Sequence, residues 1–202
     1  MSPKLTFRRG AVAALACAAL LAGCGDDDDE PLIGLSEPPY EVTLPGGWRD
    51  GTDEEKQQLG LQAGAAVEQA AGEVEFPEVG LTSLWLRGEA VPDTPSAVVI
   101  REPVPDEVDP DQFVSISLAN AERAFADQLI GPTREAPDST VAGEAVPAFD
   151  YRIRFGNREL AKRVVFIIHE DFAYTLTLTA PPPDFDRAAA ELDEILGTWT
   201  WT

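Results

Sequence analysis

From residue 38 onward the chain alternates between stretches of period two and stretches of helical period, each closed by glycine or proline. Tyr40-Glu41-Val42-Thr43-Leu44 places Tyr40, Val42 and Leu44 on one face of a strand, which Pro45-Gly46-Gly47 ends before Trp48. Asp53 to Ala71 carries Leu59, Ala63, Ala66, Val67 and Ala70 at helical spacing, with Asp53, Glu54 and Glu55 suited to a helix N-terminus. Val79 to Arg87 and Ala97 to Arg101 read as strands joined through a connection containing Pro92 and Pro95. Asp109-Pro110 starts a helix predicted over Asp111 to Ile130, with Val114, Leu118, Ala121, Phe125 and Leu129 as its apolar stripe and Gly131-Pro132 closing it.

The last third predicts an antiparallel meander: Ala148 to Phe155, a turn at Gly156-Asn157, Glu159 to His169, a turn at Glu170-Asp171, and Phe172 to Ala180. In the third strand Tyr174, Leu176 and Leu178 oppose Thr175, Thr177 and Thr179, the pattern expected where helices cover one side only. After Pro181-Pro182-Pro183, Asp184 is placed to cap a helix whose stripe is Phe185, Ala188, Ala189, Leu192, Ile195 and Leu196, stopped by Gly197. Trp199 and Trp201 then share one face of a short terminal strand that seals the core.

The first 38 residues have no such patterning and decide location instead. Lys4, Arg8 and Arg9 precede an apolar run, Ala11 to Ala22, that is too short to span about 30 Å of hydrocarbon. The run ends in Leu20-Leu21-Ala22-Gly23-Cys24, which resembles a bacterial lipobox. Residues 1–23 are therefore expected to be a lipoprotein signal peptide, with Cys24 the lipidated first residue. A diacyl anchor holds a protein stably where one chain would not. Residues 24–38, with Asp26 to Glu30 in one acidic run and Pro31, Pro38 near its ends, form the expected tether, and 39–202 the single folded domain. Cys17 falls in the leader, so the mature domain has no thiol for a disulfide, a zinc cluster or catalysis.

Charge narrows the partners. With the leader removed, 12 basic residues stand against 36 acidic ones, a formal charge of −24. Such a chain is repelled by nucleic acid and by anionic headgroups, so the expected membrane contact is the lipid on Cys24, at the extracytoplasmic face of the cell membrane. Twelve arginines against three lysines suit a GC-rich genome.

Leu44-Pro45-Gly46-Gly47-Trp48, Phe172-Ala173-Tyr174-Thr175-Leu176-Thr177 and Leu196-Gly197-Thr198-Trp199, in that order around a mid-chain helix, resemble the PsbP-like superfamily, which includes the Ran-binding Mog proteins. Within it the chain is most similar to actinobacterial LpqN lipoproteins. The resemblance covers about residues 38 to 202 and implies an α+β fold, an antiparallel sheet between layers of helix (an α/β/α sandwich), in proteins that bind or assist other proteins. Its motifs are structural and bring no catalytic residue with them.

A direct search for chemistry agrees. His169, the single histidine, sits with Glu170 and Asp171 at a hairpin turn, where polar residues are ordinary. Asp26, Asp28, Glu30 and Glu37 have calcium-loop spacing, but Pro31 stands where that loop requires glycine. No metal or other cofactor is expected. Arg152, Arg154, Arg158, Lys162 and Arg163 gather on two neighbouring strands, as cross-strand partners of acids such as Glu159 or as a docking strip. The candidate partner-binding residues are Arg152, Arg154 and Arg158. The expected function is that of a membrane-anchored, non-catalytic binding or accessory module for an envelope protein or an apolar ligand. The alternative is an envelope hydrolase using surface carboxylates, which would need two of them about 5 to 9.5 Å apart across a cleft.

Overall fold

A computed structural model describes residues 34–60, 79–88, 94–105 and 108–202, with Phe155 as backbone only. The leader, Cys24, the acidic run, most of the helix expected over Asp53 to Ala71 and part of the proline-rich connections lie outside the described residues.

The meander forms as its alternation and turns predict, with β9 (Ala148–Phe155), β10 (Arg158–His169) and β11 (Phe172–Ala180) pairing antiparallel. β4 (Gly80–Arg87) and β5 (Ser96–Pro103) extend it, β5 lying beside β11. The sheet order is β1-β4-β5-β11-β10-β9-β6, with β3 (Trp48–Asp50) also pairing β4. β6 is Arg134–Glu135 and β1 is Gly34–Leu35. β1 runs parallel to β4 and falls within the stretch read as tether. The close approach depends on Gly80, where any Cβ would overlap the Ser36 side chain.

Two helices flank the sheet on opposite faces, and residues 53–60 are helical as well; these are α1 (53–60), α2 (Pro110–Ala124) and α3 (Phe185–Gly197). α3 packs Ala188, Ala189, Leu192, Ile195 and Leu196 against Val99, Val165, Leu176 and Leu178. α2 packs Phe113 against the other face with Ile153, Val164, Phe166 and Ala173. Asp109 caps α2 by accepting from the Gln112 N–H at 2.8 Å, with Pro110 at the first helical position.

Expectations for four elements are corrected. The threonine side of β11 is not solvated: Thr175 and Thr177 are fully buried and Thr179 nearly so, because β11 is central and covered on both faces. α2 ends at Ala124 rather than Ile130, since the following residues close the edge of β9, Ile130 N–H donating to Arg152 and Arg154 N–H to Gln128. Of the expected stripe Ala121 and Phe125 are buried and Val114, Leu118 and Leu129 pack at the margin of the core, while Phe113, Ser117 and Asn120, which the stripe did not include, are buried beside them. The first strand shrinks to β2 (Tyr40–Glu41), because its partner β12 (Thr200–Trp201) is only two residues long. Val42 and Leu44 still pack on the core. Asp184 makes no capping bond, its carboxylate instead accepting from Arg187 at 2.6 Å, and α3 includes Gly197 and stops where the Thr198 hydroxyl bonds the Ile195 carbonyl. β7 (Ser139–Val141) and β8 (Glu144–Val146) add a hairpin turned at Ala142-Gly143, both with positive φ.

Candidate functional site

The charged groups next to α3 are engaged in holding it. Glu191 accepts from Arg87 Nε at 2.6 Å, from Arg87 Nη2 at 3.0 Å and from the Trp48 indole at 2.8 Å, tying the helix to β3 and β4. On the other flank Arg163 makes two hydrogen bonds to Asp150, at 2.9 and 3.0 Å, and reaches Asp193 at 3.5 Å. The Asp150 bonds hold the Arg163 guanidinium above its ordinary pKa despite burial. Ser139 donates to Asp193, so the β7–β8 hairpin joins the same clamp. Glu55 is held down to about 2 by the Arg49 guanidinium, and it closes a capping box with Thr52 at the start of α1.

The aromatic end of the sheet is also structural. Trp199 is buried and stacks on Tyr40 at 3.7 Å, while Trp201 stacks on His169 at 3.8 Å with the rings 5° apart. Tyr40 donates or accepts with Thr82 and Ser83, and burial pushes its hydroxyl well above the usual tyrosine range. Arg101 lies over the Phe172 ring at 3.9 Å. The shared face of Trp199 and Trp201 thus seals the core, as the spacing predicts. Among the described residues no His, Cys, Asp and Glu group is arranged to hold a metal, and His169 meets an indole rather than an orienting carboxylate.

The basic cluster of β9 and β10 is divided by the pleat. Lys162 is fully buried on the α2 face, and Arg163 belongs to the α3 clamp. Arg158 is in register with Phe155, on the face opposite to Arg152 and Arg154. Arg154 pairs with Glu159, its register partner, at 2.7 Å, while Arg152 is exposed with no ion pair among the described residues. The fold adds a member that sequence spacing did not reveal. Arg134 on β6 is exposed and in register with Asp150, hence on the same face as Arg152 and Arg154. Its signal was hidden because β6 is two residues long and 16 residues before Asp150.

A hollow beside α2, lined by Leu118, Ala121, Phe125, Leu129 and Tyr151, has a volume of about 10 Å³, room for one water. No described helix is long and apolar enough to cross a membrane.

No protein-family profile matches the chain, and no curated protein matches it. Solved structures do. It is similar to LpqN, described as involved in cell envelope biogenesis of Mycobacterium tuberculosis, at 14% identity over 81% of this chain and 83% of that one, with a TM-score of 0.49. It is similar to the cyanobacterial PsbP protein CyanoP of Synechocystis at 13% identity over 90% and 99% of the two chains, with a TM-score of 0.47. A Pseudomonas aeruginosa protein, PA94, is 23% identical over 59% and 81%, with a TM-score of 0.40. The first two are of the kinds that the strand-end motifs resemble. At such distances no activity follows from them, and function has to be argued from the residues of this chain.

Proposed function

We propose that this chain is a lipid-anchored, non-catalytic binding module of the cell envelope, held at the extracytoplasmic face of the membrane through Cys24 and engaging another envelope protein. The observation that supports it is the employment of the acidic groups. Glu191, Asp193, Asp150, Glu55 and Glu159 each meet a guanidinium within hydrogen-bonding distance. Asp150 and Asp193 both meet Arg163, at 2.9 and 3.5 Å, an ion-paired arrangement rather than a pair of carboxylates facing each other across a cleft. Among the described residues the hollow beside α2 has room for about one water, against the 300 Å³ or so of a small-molecule pocket, which supports a protein partner over an apolar ligand held there. The candidate docking residues remain Arg152 and Arg154, with Arg158 across the sheet from them.

Detergent-phase partitioning of the expressed protein tests the anchor. The native chain should enter the detergent phase, and Cys24→Ala should stay in the aqueous phase or retain its leader. A Cys24→Ala chain that still partitions into detergent with its leader removed would refute lipidation. Crosslinking in intact cells, followed by identification of the adduct, tests the binding role.

A further inference from the structure

The two edges of the sheet differ in what they expose. At one edge β4 is covered by β1 and β3. β1 begins ten residues after Cys24, so this edge is the one tied to the bilayer under the anchoring read above. At the other edge β9 is closed by residues 128 to 136: the Gln128 and Ala148 carbonyls accept from Arg154 and Ala136, and Arg152 accepts from Ile130. Strand addition directly onto β9 is therefore closed, and the side chains of this edge carry the recognition. Those side chains, on the α3 face, are Arg134, Arg152 and Arg154, all exposed. The acids beside them are matched, Asp150 by Arg163 and Glu159 by Arg154. Arg134 and Arg152 are therefore uncompensated among the described residues, on a chain whose mature charge is −24.

We propose that this β6–β9 edge is a docking surface for an acidic segment of an envelope protein. It rests on the binding-module reading and names the face and the partner's chemistry. Guanidinium forks suit carboxylates, which they can bind bidentately. The net negative charge of the chain repels an acidic partner, and a local group of arginines lowers that repulsion at this edge and gives orientation as well as rate. An anionic lipid headgroup is the less suitable occupant. Five strand spacings separate β1 from β9, about 24 Å at 4.8 Å each, whereas a ten-residue tether of the kind the composition predicts has a root-mean-square reach of roughly 16–19 Å. The arginine edge is thus the one turned from the anchor.

The test uses the full anchored chain in cells, with a photo-crosslinking residue at Asn157, in the exposed β9–β10 turn, or at Glu54 on α1. A protein adduct at position 157 is expected, mapping to an acidic segment of the partner. Arg134→Glu with Arg152→Glu should reduce it at least tenfold at unchanged melting temperature, and a matching acid-to-arginine change in the partner should restore it. An adduct indifferent to the double reversal, or one to phospholipid, overturns the proposal. Protein adducts at position 54 alone would remove this edge while leaving a binding module, and no protein adduct at either position would remove both.

Discussion

Thr177 carries the sharpest stability prediction. It sits mid-strand in β11, fully buried, in register with Val98 on β5 and Val164 on β10, both buried on the same face. Among the described residues its hydroxyl has no hydrogen-bond partner. Leaving a hydroxyl unpaired in such a place costs about 1–3 kcal/mol by mutational measures. Thr177→Val exchanges that hydroxyl for a methyl and completes a row of three valines. The added bulk takes back part of the gain, so the expected stabilisation is about 1 kcal/mol, or roughly 2–4 °C in Tm for a domain of this size. Thr177→Ser is the control. It keeps the hydroxyl, loses the methyl, and should destabilise by about 1 kcal/mol. Urea unfolding followed by tryptophan fluorescence would rank the three as Val above Thr above Ser. A Val variant less stable than the native protein by more than about 0.5 kcal/mol would mean that the hydroxyl has a bonding partner, and the argument from an unsatisfied group would fail.

Three further outcomes are expected. Leu192 is fully buried on the α3 stripe, so Leu192→Ala should cost about 2–5 kcal/mol in urea unfolding, and a loss below about 0.5 kcal/mol would show that this face is not core. The Glu55 carboxyl titrates near 2 when folded against an ordinary 4.5, so the unfolded chain binds the extra proton between those values and stability falls as pH drops from 4.5 to 2. Arg49→Ala should raise the NMR titration midpoint of Glu55 toward 4.5, and an unmoved midpoint would place the cause elsewhere. Gly80→Ala should displace β1, seen as loss of hydrogen-exchange protection at the Ser36 amide, which donates to Leu81; retained protection would show that the strand tolerates a Cβ there.

What was legible in the sequence followed how strongly each local pattern excluded alternatives. Three strands joined by Gly156-Asn157 and Glu170-Asp171 could pair in only one sensible way, and they do. The α3 stripe was equally unambiguous, since its five buried residues repeat at helical spacing. Thr175 and Thr177 misled because threonine is polar enough to read as solvated and β-branched enough to fill a central strand. β1, β3 and β6 are two or three residues long, below the length at which periodicity speaks, and exist because a sheet edge recruits any backbone that passes it. The arginine face was half legible for the same reason. Arg152 and Arg154 share a face by their spacing, but the pleat that sends Arg158 across and the edge strand that brings Arg134 in are products of register.

The segment from Gly34 to Leu44 shows how the described fold holds together without any disulfide. Its first residues pair with β4 at the sheet edge, and Tyr40 then turns inward, stacking on Trp199 and bonding Thr82 and Ser83. Beyond it, Thr43 N–H donates to the Thr198 hydroxyl and Thr202 N–H to the Pro39 carbonyl. One short strap therefore fastens the sheet edge, the aromatic core and the C-terminal strand together, and that C-terminal strand follows directly on α3. α3 is in turn clamped on both flanks, by Glu191 to Arg87 and by Asp193 to Arg163. Under the anchoring reading, a pull on the lipid end loads β1 first. Two residues of parallel pairing with exposed side chains yield before a buried stack does, so β1 can peel while Tyr40 still holds the C-terminal strand. Such peeling would lengthen the tether without unfolding the domain, and it would leave the arginine edge, at the far side of the sheet, in its folded geometry.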